Sequence, residues 1–271
     1  MFQQVICTNN QSDALSCICY DETRDGIIIS DVENHYLQLF DSETYKSQSF
    51  IGHYGSDICE FHYPKGLCIQ PFTNHLLVCD SLNSRIQILG NDVLGYSFLY
   101  EIVNLFNSPV GICCDKQGCM FITDDWNHKI HHHNEYGRYL DSFGCFEHPS
   151  SVTIENNQLY VADTNNQRVS IWSCDSSNQS KPIHILPIHK YCYSVCVNPM
   201  FTNQLYIGTT NDIIEYDCRN YNQVLDVIKL NKTETSTLDL VTGLCIHKQK
   251  QCLMAVTHRT NKVLVYKLKQ F

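Results

Sequence analysis

FEHPSSVTIENNQLYVADTNNQRVSIWSCD, Phe146 to Asp175, decides the architecture. Two short apolar runs, Val152 to Ile154 and Leu159 to Ala162, precede a polar turn, Asp163 to Arg168, and a third run, Val169 to Trp172. Each run has the length and the β-branched or aromatic content of a strand, and each is bounded by Asn, Asp or Ser. No apolar pattern of helical period crosses the stretch. A few short strands alone cannot bury both faces of a sheet. The stretch needs neighbours, and the rest of the chain supplies copies of it.

The core of the stretch, YVADTNNQRV (Tyr160 to Val169), matches FITDDWNHKI from Phe121, LVCDSLNSRI from Leu77 and IISDVENHYL from Ile28. Downstream it matches MAVTHRTNKV from Met254 and, with one residue deleted, YIGTTNDII from Tyr206. The key position runs Asp31, Asp80, Asp124, Asp163, Thr209, Thr257, at spacings of 39 to 49 residues. The segment before each match repeats as well. PKGLCI (Pro64 to Ile69), PVGICC (Pro109 to Cys114) and PSSVTI (Pro149 to Ile154) share a Pro-x-small-apolar-x-apolar pattern. CYSVCV (Cys192 to Val197) and VTGLCI (Val241 to Ile246) keep it without the proline, and LSCICY (Leu15 to Tyr20) is the weakest copy. A fourth apolar stretch follows in most copies, at Ser47 to Ile51, Tyr96 to Ile102, Arg138 to Phe143, Pro182 to Pro187 and Gln223 to Leu230.

Four strands per copy and six copies predict an all-β fold, a six-bladed β-propeller of four-stranded blades. The sixth copy stops after its third strand, Lys262 to Lys267. An unassigned apolar segment, Phe2 to Thr8, is predicted to pair onto the C-terminal blade and close the ring, which removes an exposed sheet edge. Residues 1–271 read as a single domain, with Cys174 to Lys181 and Asn231 to Ser236 as loops.

Composition narrows the function classes. The apolar fraction of 43% suits a packed core, and the net charge of −9 argues against a nucleic-acid surface, DNA above all. No run of 18 apolar residues predicts a membrane span. The start, MFQQVICTNNQSD, lacks the basic and apolar regions of a signal peptide. The 16 cysteines include no Cys-x-x-Cys, so free thiols in a reducing, cytoplasmic setting are expected.

Pro-x-Gly-apolar-x-apolar followed by Tyr-Val-Ala-Asp-Thr-x-Asn-x-Arg-Val resembles the NHL repeat. Phe146 to Trp172 carries the resemblance most closely, and the second and third copies match well. The fifth and sixth lose the Asp, and the first has Tyr36 where Arg is expected. The resemblance implies a six-bladed propeller. Its implied role is a non-catalytic protein-interaction module, with the substrate-recognition part of a ubiquitin-ligase system as one implied context. Single-stranded RNA binding is the alternative, and a metal-dependent lyase or lactonase a second alternative.

Residues repeated in every blade are expected to serve the scaffold. Asp80 with Arg85, Asp124 with Lys129 and Asp163 with Arg168 are each five apart across a tight turn, which predicts an ion pair that also accepts turn amides. Cys68, Cys113, Cys196 and Cys245 share one place in the first strand of the copy, with Thr153 in the fourth, and are expected to pack as small apolar groups. Of the triple His131 to His133, alternation sends His132 to the face opposite His131 and His133, and a solvated strand face is expected. In the peptide-amidating lyases that share this fold class, zinc-binding His follows the proline of the first strand, where this chain has Lys65, Val110 and Ser150. Asp115, Glu155 and Asn198 are the remaining cage candidates for a lactonase. No catalytic residue, metal or cofactor is therefore expected.

Turn and connection residues differ from copy to copy and are the expected partner-binding face of a monomer. The candidates are Trp126, His128, Arg85, Tyr63, Tyr191, Arg259 and Lys262. Trp126 stands where sister copies have Leu82 or Asn165. A protein partner is favoured over RNA because the basic residues there are matched by acidic ones.

Overall fold

The first strand of every copy begins with the same irregularity. In the fourth blade Pro149 lies opposite Asp163 and Ser151 opposite Ala162, so Ser150 is an extra, unpaired residue. The same bulge opens the first strand of the other five copies. Beyond it the strands run regularly, and six antiparallel four-stranded sheets result, each with its strands in chain order except the last. The computed structural model that shows this describes residues 2–7, 14–93, 95–103, 105–174, 181–200, 204–218, 223–230 and 239–268.

We label the strands of a blade a to d from the centre outward. The a strands are Leu15–Asp21, Pro64–Ile69, Pro109–Cys114, Pro149–Glu155, Cys192–Val197 and Val241–His247. Each touches the a strand of the next blade, and the first touches the sixth, so the six form a closed ring. The b strands, such as Gly26–Asp31 and Leu76–Asp80, are covered on both faces and so read as nearly unbroken apolar runs. The d strands lie at the rim, and Gly95–Ile102 and Val224–Lys229 alternate between covered and exposed side chains.

The sixth blade takes its outer strand from the opposite end of the chain. Phe2–Cys7 pairs antiparallel with Lys262–Lys267, with Val5 opposite Leu264, Ile6 opposite Val263 and Cys7 opposite Lys262. The predicted closure is thus present, while Thr8 and the loop stretches 175–180 and 231–236 lie outside the described residues.

Packing follows the ring. The apolar side chains divide into six clusters, each built from two adjacent blades, rather than one central core. Leu15, Ile18, Ile27 and Ile29 of the first blade meet Met254, Val256 and Val263 of the sixth, so the seam between the chain ends is packed like the others. Near the axis the blades approach closely because the small position of the repeat is small. A Cβ on Gly66 would come within 2.3 Å of the Val110 carbonyl oxygen, and one on Gly243 within 2.9 Å of the Cys17 Cα. Both obstacles are backbone of the following blade and cannot swing away. Gly66→Val is therefore expected to destabilise the protein by about 1–3 kcal/mol through overpacking. Chemical denaturation measures this. Gly26→Ala, where an added Cβ would lie 3.7 Å from its nearest neighbour, serves as the control with a smaller change.

Candidate functional site: the turn face

The b–c turns and the d-to-a connections meet at one end of the ring. The link is the repeated aspartate, which is fully buried at Asp31, Asp80, Asp124 and Asp163. Asp163 accepts the backbone amide of Glu147 at 2.7 Å, the Asn166 side-chain amide at 2.9 and 3.0 Å and Arg168 Nε at 2.7 Å. Asp80 accepts the amide of His62 at 2.7 Å, Asn83 Nδ2 at 2.9 Å, Arg85 Nε at 2.7 Å and Gln87 Nε2 at 3.2 Å. Asp31 takes the amide of Ala14 at 3.3 Å and both the main-chain and side-chain N–H of Asn34. A carboxylate taken out of water needs several donors to remain ionised, and each of these has them.

The third blade departs from the expected pair. Asp124 accepts the Asn107 amide at 2.9 Å and Asn127 Nδ2 at 2.8 Å, but its third side-chain partner is His131 Nε2 at 3.1 Å. Lys129 is exposed and forms no ion pair with Asp124, which corrects the expected Asp124–Lys129 pair. His131 reaches the carboxylate from two residues further along the strand, the place that Gln87 holds in the second blade. The sixth blade reverses the arrangement. Thr257 replaces the Asp and contacts Thr260 at 2.9 Å, while Asp239 in the connection accepts the amides of Arg259 and Thr260 and the Thr260 hydroxyl.

A left-handed residue ends each of these turns: His35, Ser84, His128, Gln167, Asn211 and Asn261 have φ between 52° and 65°. Four of them catch the chain as it enters the next blade. His35 Nδ1 accepts the Tyr63 amide at 3.2 Å and His128 Nδ1 the His148 amide at 3.3 Å. The Gln167 carbonyl accepts from Ile188 and His189, and Asn211 Oδ1 accepts the Asp239 amide at 2.6 Å. An Nδ1 that accepts must carry no proton, so His35 and His128 hold these bonds with the proton on Nε2.

The expected contact residues separate into two groups. Arg85 is 7% exposed, and besides Asp80 it donates to Glu101 at 2.8 Å and to the carbonyls of Asp57 and Glu60. Its guanidinium is committed to the scaffold, which corrects its place on a partner-binding face. Tyr63 is half-buried, with its hydroxyl on Glu33 at 2.8 Å. Trp126 is 56% exposed, and Tyr191, His128 and Arg259 are exposed as well, with Lys262 half-buried. Trp126 and His128 share the turn of the third blade, Arg259 and Lys262 belong to that of the sixth, and Tyr63 and Tyr191 stand in the connections to the second and fifth. Tyr54, Ile58, Leu82 and Leu105, which lie in the connections and turns of the same end, are exposed as Trp126 and Tyr191 are. Tyr54 packs with His35 and His62, ring centroids 5.0 and 5.1 Å apart.

The triple histidine is buried, which corrects the expected solvated face. His131 and His133 are 6% and 0% exposed and lie against Phe106 and Tyr139. His132 points the other way, as alternation requires, and stacks on Phe121 at 4.3 Å. The cysteines behave as expected of small apolar groups. Cys68, Cys196 and Cys245 donate weakly to the carbonyl of the next residue, and burial pushes the Cys196 thiol up to about 12. The fifteen cysteines with described side chains are all free. Of the cage candidates, Asp115 caps its own turn through the Gln117 and Cys119 amides, and Asn198 bonds Gln204 at 2.8 Å.

Burial, reinforced by the neighbouring His131 and His132, lowers the His133 pKa from 6.5 to about 4. Its neutral form is the one that fits, so its contribution to stability is complete above about pH 6.5 and is lost as pH falls toward 4. His35, His75 and His247 are shifted down by burial in the same sense. His133→Leu, the residue found at the equivalent Leu89, is expected to flatten part of the fall in Tm between pH 6.5 and 4.5, which thermal melts across that range measure.

An NHL-repeat family model matches residues 146–172, the fourth blade from its connection to its c strand. No curated protein matches the chain. No helix among the described residues is long and apolar enough to cross a membrane. The chain is a β-propeller of six four-stranded blades in a closed ring, and its fourth blade carries an NHL repeat.

Proposed function

We propose that the turn face is a protein-binding surface and that the chain works as a non-catalytic interaction propeller. The observation that carries this reading is Trp126, an indole 56% exposed on a turn held by the Asn127 side chain on the buried Asp124 and by the Asp125 amide on the Ser108 carbonyl. An aromatic side chain held on a rigid turn loses little freedom when a partner covers it, and exposed Trp and Tyr are the usual anchors of protein interfaces. Exposed Tyr54, Ile58, Leu82, Leu105 and Tyr191 on the same end offer further apolar contact area.

The charge pattern favours protein over RNA. Arg85 and Arg168 are neutralised by Asp80 and Asp163, and Lys190 by Asp212. Lys129 and Arg259 remain exposed, opposite exposed Glu33, Asp57 and Glu147. A strand-tracking nucleic-acid surface needs a continuous basic groove, and this end of the molecule offers scattered cations among acids. In the ubiquitin-ligase context that the NHL resemblance implies, this surface would select the substrate and a partner would carry the transfer chemistry. Fifteen free thiols support a reducing, cytoplasmic setting for that role.

Photo-crosslinking tests the surface. A crosslinking residue placed at Trp126 is expected to capture specific proteins from extract that the same residue at Phe72, 84% exposed on the opposite end, does not. The purified chain is expected to leave a random single-stranded RNA pool unbound at physiological salt. RNA binding there that is lost on Trp126→Ala, or equal capture from both ends, would overturn the proposal.

A further inference from the structure

The bulge that opens every a strand has a consequence at the axis. An extra residue in a strand is re-aimed out of the ladder, and the six bulged residues, Ser16, Lys65, Val110, Ser150, Tyr193 and Thr242, all line the central channel. They ring its mouth at the turn face. The channel holds about 810 Å³, a volume in the range of small-molecule sites. Below the mouth its wall is apolar: Ile18, Leu67, Ile112, Val152, Val195 and Leu244 stand at one level of the six a strands.

Within the ring, Ser150 and Thr242 spend their hydroxyls on the carbonyls of the neighbouring blade. The Lys65 ammonium, the Ser16 hydroxyl and the Tyr193 hydroxyl make no hydrogen bond or ion pair among the described residues. The other ionised residues that line the channel are paired, Glu22 with Lys248 at 2.7 Å and Glu33 with the Tyr63 hydroxyl. Asp125, the carboxylate that acts on Lys65 across space, is itself held by His148 Nδ1 at 2.9 Å. Lys65 is half-buried at the channel mouth, and a partly desolvated ammonium without a protein partner gains when an anion reaches it. Burial lowers the Lys65 pKa, as that account requires.

We propose that the central channel binds a small organic acid, its carboxylate held by the Lys65 ammonium with the Ser16 hydroxyl of the adjoining blade and its apolar body lying along the channel wall. Each part of the site matches one part of such a ligand. The Lys65 ammonium, which can only donate, selects an anion, and the Ser16 hydroxyl of the adjoining blade can donate to the same group. The apolar wall selects a hydrocarbon or aromatic body over a fully polar acid. The site is separate from exposed Trp126 and does not depend on the protein-binding reading.

Calorimetric titration of the purified chain with octanoate tests the proposal, with octan-1-ol as the neutral probe. Octanoate is expected to bind one to one and more tightly than octanol. Lys65→Met is expected to weaken octanoate at least about tenfold while leaving octanol unchanged. An unchanged melting temperature shows that the variant is folded, and Ser16→Ala, a smaller change, is expected to weaken octanoate in the same direction. Equal binding of octanoate to wild type and Lys65→Met would overturn the proposal, as would octanol binding as tightly as octanoate. An acidic peptide with blocked ends that binds through Lys65 while octanoate does not would also overturn it, because the carboxylate would then come from a protein partner.

Discussion

A buried carboxylate at the end of strand b determines how each of the first four blades is joined to its own entry point. In the first four blades it binds the amide of the incoming connection and the amide of the turn asparagine at once. The blade cannot shift along the ring without stripping donors from a charge that has no access to water, and a buried charge left unpaired is among the most destabilising defects a fold can carry. The turn face is rigid for this reason, and its variable side chains are presented from a constant frame. In the sixth blade, where the aspartate is lost, Asp239 restores the carboxylate from the opposite partner, the connection, and holds the turn from Arg259 to Thr260.

A second constraint acts at the axis. The glycines and small residues of the a strands let adjacent backbones touch, and the bulges beside them turn one side chain per blade into the channel. The two constraints create two different surfaces. One is the outer face of the turns, where Trp126 and the other exposed apolar side chains stand. The other is the ring of bulged residues inside, where the Lys65 ammonium has no ion-pair partner among the described residues. Residues that repeat serve the frame in both places, and residues that break the repeat supply the chemistry.

The ring was legible because a period near 45 residues is recorded in strand, turn and connection alike, and the strand limits fall within a residue or two of those read from the repeat. Closure by Phe2–Cys7 followed from counting strands. Side-chain commitments were less legible. The spacing of Asp80 and Arg85 identifies their pair, but the carbonyls of Asp57 and Glu60 that finish burying the guanidinium lie in a loop with no periodic signal. Lys129 stood at the expected distance from Asp124, and His131 displaced it because a strand residue two positions on faces the same side and its ring reaches the carboxylate. The asparagine three residues after each aspartate was visible as a repeat at Asn34, Asn83, Asn127 and Asn166, and could have been read as the second half of the clasp. Lys65 could not be recognised as unpaired from its neighbours in sequence, since the groups that would pair it come from other blades.

The clasp is open to direct measurement. Amide hydrogen exchange followed by NMR reads the connections, where the amides of His62, Asn107 and Glu147 lie outside any strand yet bond to Asp80, Asp124 and Asp163. The account predicts that these three amides exchange as slowly as those of the central strands, because freeing them requires the blade to open. Exchange at the rate of the surrounding connection residues would contradict it.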